Sequence, residues 1–255
     1  MSNLFDLTGK VALVTGASSG LGIQFAKALA KEGADIAITA RRVDKLNEVK
    51  AEIEKLGVRC FSVPGDASDV KAIKAIVTAV NEHFGKIDIL VNNAGIGLTE
   101  PAEEQSDETW ETMMRVNLNG VYYFAREAAK GMIARKYGKI INIGSIHSTV
   151  AMTGLPVSAY ATTKGGVLMM SKALANEWAK HNITVNTIGP AYFESEMTAE
   201  IIHDNAFQVV LNTYCPMGRA GKEGELDGAI VYFASDASSY TTGQYLAVDG
   251  GWTSI

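Results

Sequence analysis

Cysteine is nearly absent from this chain: two residues in 255, Cys60 and Cys215, far apart in sequence. That excludes a redox pair or a zinc site of the usual spacing, and both thiols read as reduced core or loop residues. No apolar run approaches the ~20 residues that a membrane-spanning helix needs. Positive charge is in deficit, with a formal balance of −5. No basic stripe with interleaved aromatics is present either, which argues against nucleic acid as a partner. The opening Met1-Ser-Asn-Leu-Phe-Asp-Leu7 has neither the basic start nor the apolar stretch of a signal peptide, so a cytoplasmic location is expected. Repeats, low-complexity tracts and linkers are missing as well. The expectation is one folding unit over residues 1–255, with no metal.

What is present is ordinary in bulk, with 47% hydrophobic and 20% charged residues, and highly ordered in pattern. Short apolar runs recur at 11–14, 36–39, 60–63, 89–92, 139–143, 184–188 and 245–248. Helical periodicities lie between them, among them 43–56, 69–84, 109–135 and 160–181. Such alternation predicts an α/β fold, a doubly wound parallel sheet of about seven strands with helices on both faces. Residues 191–221 break the alternation with Phe, Tyr, Met and two apparent short helices. An excursion beyond the carboxyl ends of the strands is a candidate substrate lid, or an insertion that only packs.

Two short segments carry chemistry. In Val11-Ala-Leu-Val-Thr-Gly-Ala-Ser-Ser-Gly-Leu-Gly22 an apolar strand ends in three glycines and opens a helix. Glycines let the backbone come close to a pyrophosphate, and the free N–H groups and dipole of a helix start favour the anion. In Ser158-Ala-Tyr-Ala-Thr-Thr-Lys164 a phenol and an ammonium are four positions apart. On a helix they share a face. A cation beside a phenol favours the phenolate, so Tyr160 is expected to have a lowered pKa and to serve as a general acid or base. A plain glycine turn and a solvated helix face are the bland alternatives for the two segments taken singly.

Together with what lies between them, these motifs resemble the short-chain dehydrogenase/reductase family, over nearly the whole chain from Leu7 to Trp252. Thr15-Gly-Ala-Ser-Ser-Gly-Leu-Gly22 matches the family's glycine loop, and Asn92-Asn-Ala-Gly95 its second segment. Asn117 lies in Arg115-Val-Asn-Leu-Asn-Gly, and Ser145 ends Ile140-Ile-Asn-Ile-Gly-Ser. The resemblance implies a single-domain Rossmann fold and a hydride exchange between a nicotinamide cofactor and a carbonyl or secondary alcohol. It assigns the proton to Tyr160, support of Tyr160 and the nicotinamide ribose to Lys164, the substrate oxygen to Ser145, and a relay water to Asn117. It gives the cofactor Gly16, Ser18, Ser19, Gly20, Leu21 and Gly22, then Asp66 and Ala67, then Asn93, Ala94 and Gly95, and finally Pro190. For Asp66 the alternative is a cap on the following helix.

Sites that prefer NAD usually place an acidic residue about 20 positions after the glycines. Here the stretch reads Ile38-Thr-Ala-Arg-Arg42, with Ala40 at that place and two arginines after it. Without a carboxylate to repel a 2′-phosphate, and with a guanidinium to hold it, NADP(H) is the expected cofactor. The resemblance gives the phosphate to Arg41, helped by Ser19 and Arg42.

Two departures from the family pattern stand out. Ser145 and Tyr160 are fifteen positions apart, longer than the commonest family spacing, so residues 146–157 form a longer loop expected to line the substrate pocket. Pro190 is followed by alanine instead of glycine. His147 invites a catalytic role but reads instead as a polar substrate contact or a loop surface residue. The loops mix polar residues (His147, Ser148, Thr149, Glu194, Ser195) with apolar ones (Met152, Leu155, Tyr192, Phe193). They suit a keto-sugar acid or polyol, and also a small ketone or a steroid edge. Val248-Asp-Gly-Gly-Trp-Thr253 and Pro156-Val-Ser-Ala-Tyr160 resemble the gluconate 5-dehydrogenase-like branch of the family, which implies the sugar acid. A 3-oxoacyl-carrier-protein reductase is the runner-up, with Lys130, Arg135, Lys136 and Lys139 as a docking patch, and a non-catalytic nucleotide-binding protein is the remote alternative. Apolar residues around the helices at 109–135 and 160–181, with a second surface at Tyr245–Trp252 and Ile255, predict a homotetramer.

Overall fold

The structure is a computed structural model that describes residues 3–194, 198, 202 and 204–254. Its strands are β1 (Val11–Thr15), β2 (Asp35–Ala40), β3 (Cys60–Pro64), β4 (Ile89–Asn92), β5 (Gly138–Ile143), β6 (Ile183–Pro190) and β7 (Tyr245–Val248). Each coincides with an expected apolar run to within two residues. All pair in parallel, in the order β3-β2-β1-β4-β5-β6-β7. The order reverses between β1 and β4, which pair at Leu13↔Leu90. A crevice therefore opens at their carboxyl ends, where Thr15 and Asn92 lie.

Eight helices are described in full: α1 (Gly20–Lys31), α2 (Val43–Glu54), α3 (Val70–Phe84), α4 (Asp107–Met113), α5 (Val121–Arg135), α6 (Ser158–Trp178), α7 (Asn205–Tyr214) and α8 (Asp227–Ala234). The two-residue period of the strands divides the core. Ala12 and Val14 face Phe25 and Leu29 of α1 and Ile230 of α8. Leu13 faces the other way, to Ile76 and Val80 of α3 and Phe124 of α5. Removing a ring such as Phe25 or Phe124 would cost about 3–5 kcal/mol.

One long helix was expected over 109–135, and the structure differs. Between α4 and α5 the chain widens into a π-turn at Met114–Gly120. Two contacts account for it. A Cβ on Gly120 would lie 2.3 Å from the Ala67 carbonyl oxygen, so the helix passes this point with bare backbone. Three residues earlier, Asn117 turns fully inward. Extra turns of this kind recur at functional sites.

A buried polar chain sets the register of α6 on the sheet. Asn92 donates to Asn142 (2.9 Å), Asn142 to Ser171 (2.8 Å), and Thr187 to Ser171 (2.9 Å). These bonds join β4, β5 and β6 to α6, and each removed partner would leave a dry polar group. A third, smaller cluster sits above the carboxyl ends of the strands. There Leu211 of α7, Cys215 and Trp252 pack with Ile146, Met152, Tyr192 and Phe207. The described part of the 191–221 excursion thus rests on the loop after β5. One of its two expected short helices is α7. The other, with Ser195, lies outside the described residues, as does Ile255.

Candidate active site

The glycine loop runs from the end of β1 into α1. Gly16 and Gly20 have φ of 67° and 54°, a left-handed backbone that glycine adopts without strain. Side chains are barred as well. A Cβ at Gly16 would meet Ala94 Cα at 2.8 Å, and one at Gly22 would meet the Gly16 carbonyl oxygen at 2.3 Å. The first turn of α1 carries no acidic residue, and Ser19 at its start makes no side-chain cap. Its N–H groups are left for an external anion. This cradle fits a dinucleotide pyrophosphate.

Asn93 ties the cradle to β4. Its amide donates to the carbonyls of Thr15 (3.0 Å) and Gly16 (3.2 Å), while the Thr15 hydroxyl accepts from the N–H groups of Asn93 and Ala94 at 3.0 Å each. Asn93 and Ala94 therefore build the floor of the crevice. Gly95, next along, borders the reactive residues. A Cβ there would lie 3.4 Å from the Asn117 side-chain oxygen and 3.7 Å from Lys164 Nζ.

At the other end of the crevice β2 closes with Ala40, so no carboxylate is present there. Arg42 turns back onto the glycine loop and donates to the Ser18 hydroxyl at 3.2 Å. Arg41 is exposed. A cleft of about 220 Å³ lies beside them, lined by Ser18, Ser19 and Gly20 and by Lys45, Glu48 and Glu52 of α2. Its two carboxylates are paired, Glu48 with Lys45 (3.0 Å) and Glu52 with Lys27 (2.7 Å). Asp66 accepts from the Ser68 N–H at 2.8 Å. It does not cap α3, because Asp69 does so by accepting from Lys71 N. Leu21 is half-buried in α1, and Pro190 is buried at the end of β6.

Beyond β4 and β5 the four expected reactive residues come together. Ser145 follows β5 in extended conformation, its carbonyl accepting from the Tyr245 hydroxyl at 2.9 Å. Tyr160 opens α6 and lies close enough to Ser145 for that side chain to favour the phenolate. Lys164, one turn on, is buried. Its Nζ lies 5.6 Å from the centre of the Tyr160 ring and donates to the Ile143 carbonyl at 2.8 Å. Asn117 grips Ile96 from both sides, accepting from its N–H and donating to its carbonyl at 2.8 Å each, with a further 3.3 Å contact to Thr163.

The electrostatics differ from the expectation. Burial raises the Tyr160 pKa, and the Ser145 hydrogen bond opposes it only in part. Lys164 does not dominate, because burial acts against its own charge and pushes it down to about 8. Desolvation is the larger effect on both groups.

Two other expectations need correction. His147 is not a surface loop residue, being 6% exposed. Its ring stands edge-on to Tyr160, with centres 6.1 Å apart. Lys139 cannot belong to a docking patch, because it is buried in β5 beside Ser238. The remaining charges of that patch are engaged in part, Lys130 with Glu127 and Arg135 with Asp88.

Sequence reasoning missed three supports. Thr163 donates to the Tyr160 carbonyl at 2.7 Å, and its place three residues after Tyr160 was the available signal. Tyr192 packs against Phe207 and Trp252. Burial pushes its pKa up to about 12, and the charge of Tyr160 adds to the rise. Tyr245 reaches Ser145 from 100 positions away, a distance over which no local pattern could speak.

Comparison with known proteins agrees with this geometry. The family model described as Enoyl-(Acyl carrier protein) reductase matches residues 16–253. The chain is 40% identical over 251 residues to gluconate 5-dehydrogenase of Gluconobacter oxydans, covering 98% of this chain and 97% of that one. It is 40% identical over 249 residues to 2-dehydro-3-deoxy-D-gluconate 5-dehydrogenase of Escherichia coli, covering 97% of each. The crystal structure of a gluconate 5-dehydrogenase from Burkholderia cenocepacia in complex with NADP and tartrate superposes with a TM-score of 0.95 at 39% identity, covering 99% of this chain and 98% of that one. The glycine cradle, the Asn-Asn-Ala-Gly floor, the buried Ser145 and Lys164 and the half-buried Tyr160 between them thus belong to a chain that is a member of the short-chain dehydrogenase/reductase family.

Proposed function

We propose that this protein is an NADP(H)-dependent oxidoreductase that interconverts a carbonyl and a secondary alcohol, with a keto-sugar acid as substrate. The observation that carries the reaction is the meeting of Ser145, Tyr160 and Lys164 beside the glycine cradle. NADP(H), when bound, supplies or accepts the hydride. Gly16, Gly20 and Gly22 would admit its pyrophosphate and Arg41, with Ser19 and Arg42, its 2′-phosphate. Asp66 and Ala67 would flank the adenine end, and Gly95, Pro190 and Lys164 the nicotinamide end.

Tyr160 would give its proton to the substrate oxygen in reduction and take it back in oxidation. Ser145, placed beside Tyr160, would hold the same substrate oxygen and stabilise its developing charge. Lys164 would return protons to Tyr160 from the buried side, with Asn117 fixing the wall of that path. Residues 1–255 would act as one catalytic unit, with the 191–221 excursion covering the substrate.

The sugar-acid assignment is supported by relatives matched along almost the whole chain, a gluconate 5-dehydrogenase and a 2-dehydro-3-deoxy-D-gluconate 5-dehydrogenase. The carrier-protein reading is weakened by burial of Lys139. Cytoplasmic location and a homotetramer complete the proposal. Both cysteines are free and buried, and no helix among the described residues is long and apolar enough to cross a membrane. The deciding assay is NADPH absorbance against a panel of 5-keto-D-gluconate, simple ketones and a 3-oxoacyl thioester. Fastest turnover of the keto-sugar acid is expected, and fastest turnover of the thioester would overturn the substrate.

A further inference from the structure

We propose that His147 determines substrate specificity by accepting a hydrogen bond, at its Nε2, from a substrate hydroxyl close to the reacting carbonyl. The proposal rests on the keto-sugar acid reading above and goes beyond it by naming the residue that senses the polyol chain.

His147 is carried by the same tight turn as Ser145. The Ser145 hydroxyl accepts from the His147 N–H, and the Ser148 hydroxyl accepts from the Ser145 N–H, each at 3.2 Å. A side chain on so short a turn, Ile146–Ser148, moves with the residue that holds the substrate oxygen. The ring lies edge-on to Tyr160, at 6.1 Å between centres and 81° between planes. It therefore borders the residue that would hand its proton to the substrate oxygen.

The hydrogen bonding defines which nitrogen is available. Nδ1 is 3.1 Å from the Val150 carbonyl oxygen. A carbonyl only accepts, so in the neutral ring Nδ1 carries the hydrogen and Nε2 keeps a lone pair. Burial lowers the pKa of His147 and keeps the ring neutral. Nε2 has no partner among the described residues, yet it is not one of the fully buried polar atoms left without one. It therefore keeps some access to solvent, beside Tyr160. Apolar residues adjoin the turn that carries it, with Val150, Met152 and Tyr192 in one cluster with Ile146. An acceptor left open in such a wall discriminates by hydrogen bonding, because a ligand lacking the matching hydroxyl leaves it unpaired.

Anchoring of the 146–152 loop through Val150 would require only Nδ1, so two variants separate the roles. His147→Asn keeps an amide donor near Nδ1 and has nothing at Nε2. His147→Gln places an amide oxygen near Nε2 and gives up the donor to Val150. With NADPH and 5-keto-D-gluconate, His147→Asn is expected to raise KM about tenfold with kcat within about twofold, the size of one neutral hydrogen bond. His147→Gln is expected to stay within about threefold of wild type. The inhibition constant of 5-oxohexanoate, the same keto acid without hydroxyls, is expected to be equal in all three proteins. A harmless Asn with a damaging Gln, or parallel losses for the sugar acid and its hydroxyl-free analogue, would overturn the proposal while leaving the reaction intact. Failure of the wild type to oxidise NADPH with 5-keto-D-gluconate would instead overturn the reading beneath it.

Discussion

Asn117 holds the backbone of Ile96 with both ends of its carboxamide, accepting from the N–H and donating to the carbonyl at 2.8 Å each. The π-turn at Met114–Gly120 is what aims that side chain inward, and the loop after β4 is held against α6 as a result. Asn117→Ala leaves two backbone groups of Ile96 without partners. Each such group costs about 1–3 kcal/mol when dry, and Ile96 is half-buried, so a loss toward the lower end of about 2–6 kcal/mol in denaturant unfolding is expected. A variant as stable as wild type would show that the two bonds do not hold the loop.

Tyr160 carries the proton in the proposed reaction. Tyr160→Phe keeps the ring against His147 and removes only the hydroxyl. NADPH binding, followed by fluorescence, is expected to survive, while turnover falls by several orders of magnitude. Retention of more than a few per cent of kcat would remove Tyr160 from the chemistry.

Burial pushes Lys164 down to about 8, against ~10.4 for a lysine in an unfolded chain. Below about 8 both states hold the proton, and the cost of a buried ammonium is fully present. Between about 8 and ~10.4 the unfolded chain holds the proton and the folded chain has released it, so this group's contribution to stability rises with pH. Lys164→Met cannot titrate. Wild type is expected to gain stability relative to that variant between pH 7.5 and pH 10, read from guanidinium midpoints. A constant difference across that range would contradict the shift. The same variant is expected to lose both kcat and cofactor affinity.

The end of β2 sets cofactor choice. Replacing Ala40 by Asp and Arg41 by Ala puts a carboxylate where a 2′-phosphate would lie and removes its cation. One charge-assisted hydrogen bond is worth ~1.5–3 kcal/mol, so the NADPH/NADH ratio of kcat/KM is expected to fall about ten- to a hundredfold. A wild type that already prefers NADH would refute the role of Arg41.

Assembly rests on less surface than the sequence suggested. Phe124, Ala125, Ala128 and Val167 pack inside the subunit, leaving Trp110, Tyr122 and Met169 exposed on α4–α6, and Tyr240 and Leu246 near the far edge of the sheet. Two such patches on different faces suit two symmetry axes. Sedimentation is expected to give four times the 27.2 kDa chain mass. A species of 27.2 kDa at micromolar concentration would refute the oligomer.

The sequence by itself determined the sheet and the cast of residues. Each parallel strand is a short apolar run, because a strand covered on both faces admits little else. The glycine loop, Tyr160 and Lys164 are equally local, since turn geometry and the helical repeat are set within a few residues. Tertiary structure decided everything that depended on burial and on distant partners. The widening at Asn117 answers to Ala67 and Ile96, which no periodicity in 109–135 contains. Lys139 reads as part of a surface patch in a linear chain, and for His147 a surface position stays open beside a substrate contact, yet β5 and its turn carry both into the interior. The expected lowering of the Tyr160 pKa by Lys164 failed for the same reason. Spacing tells which groups are neighbours, whereas only packing tells how much water has been removed from them, and desolvation is the largest influence on both groups here.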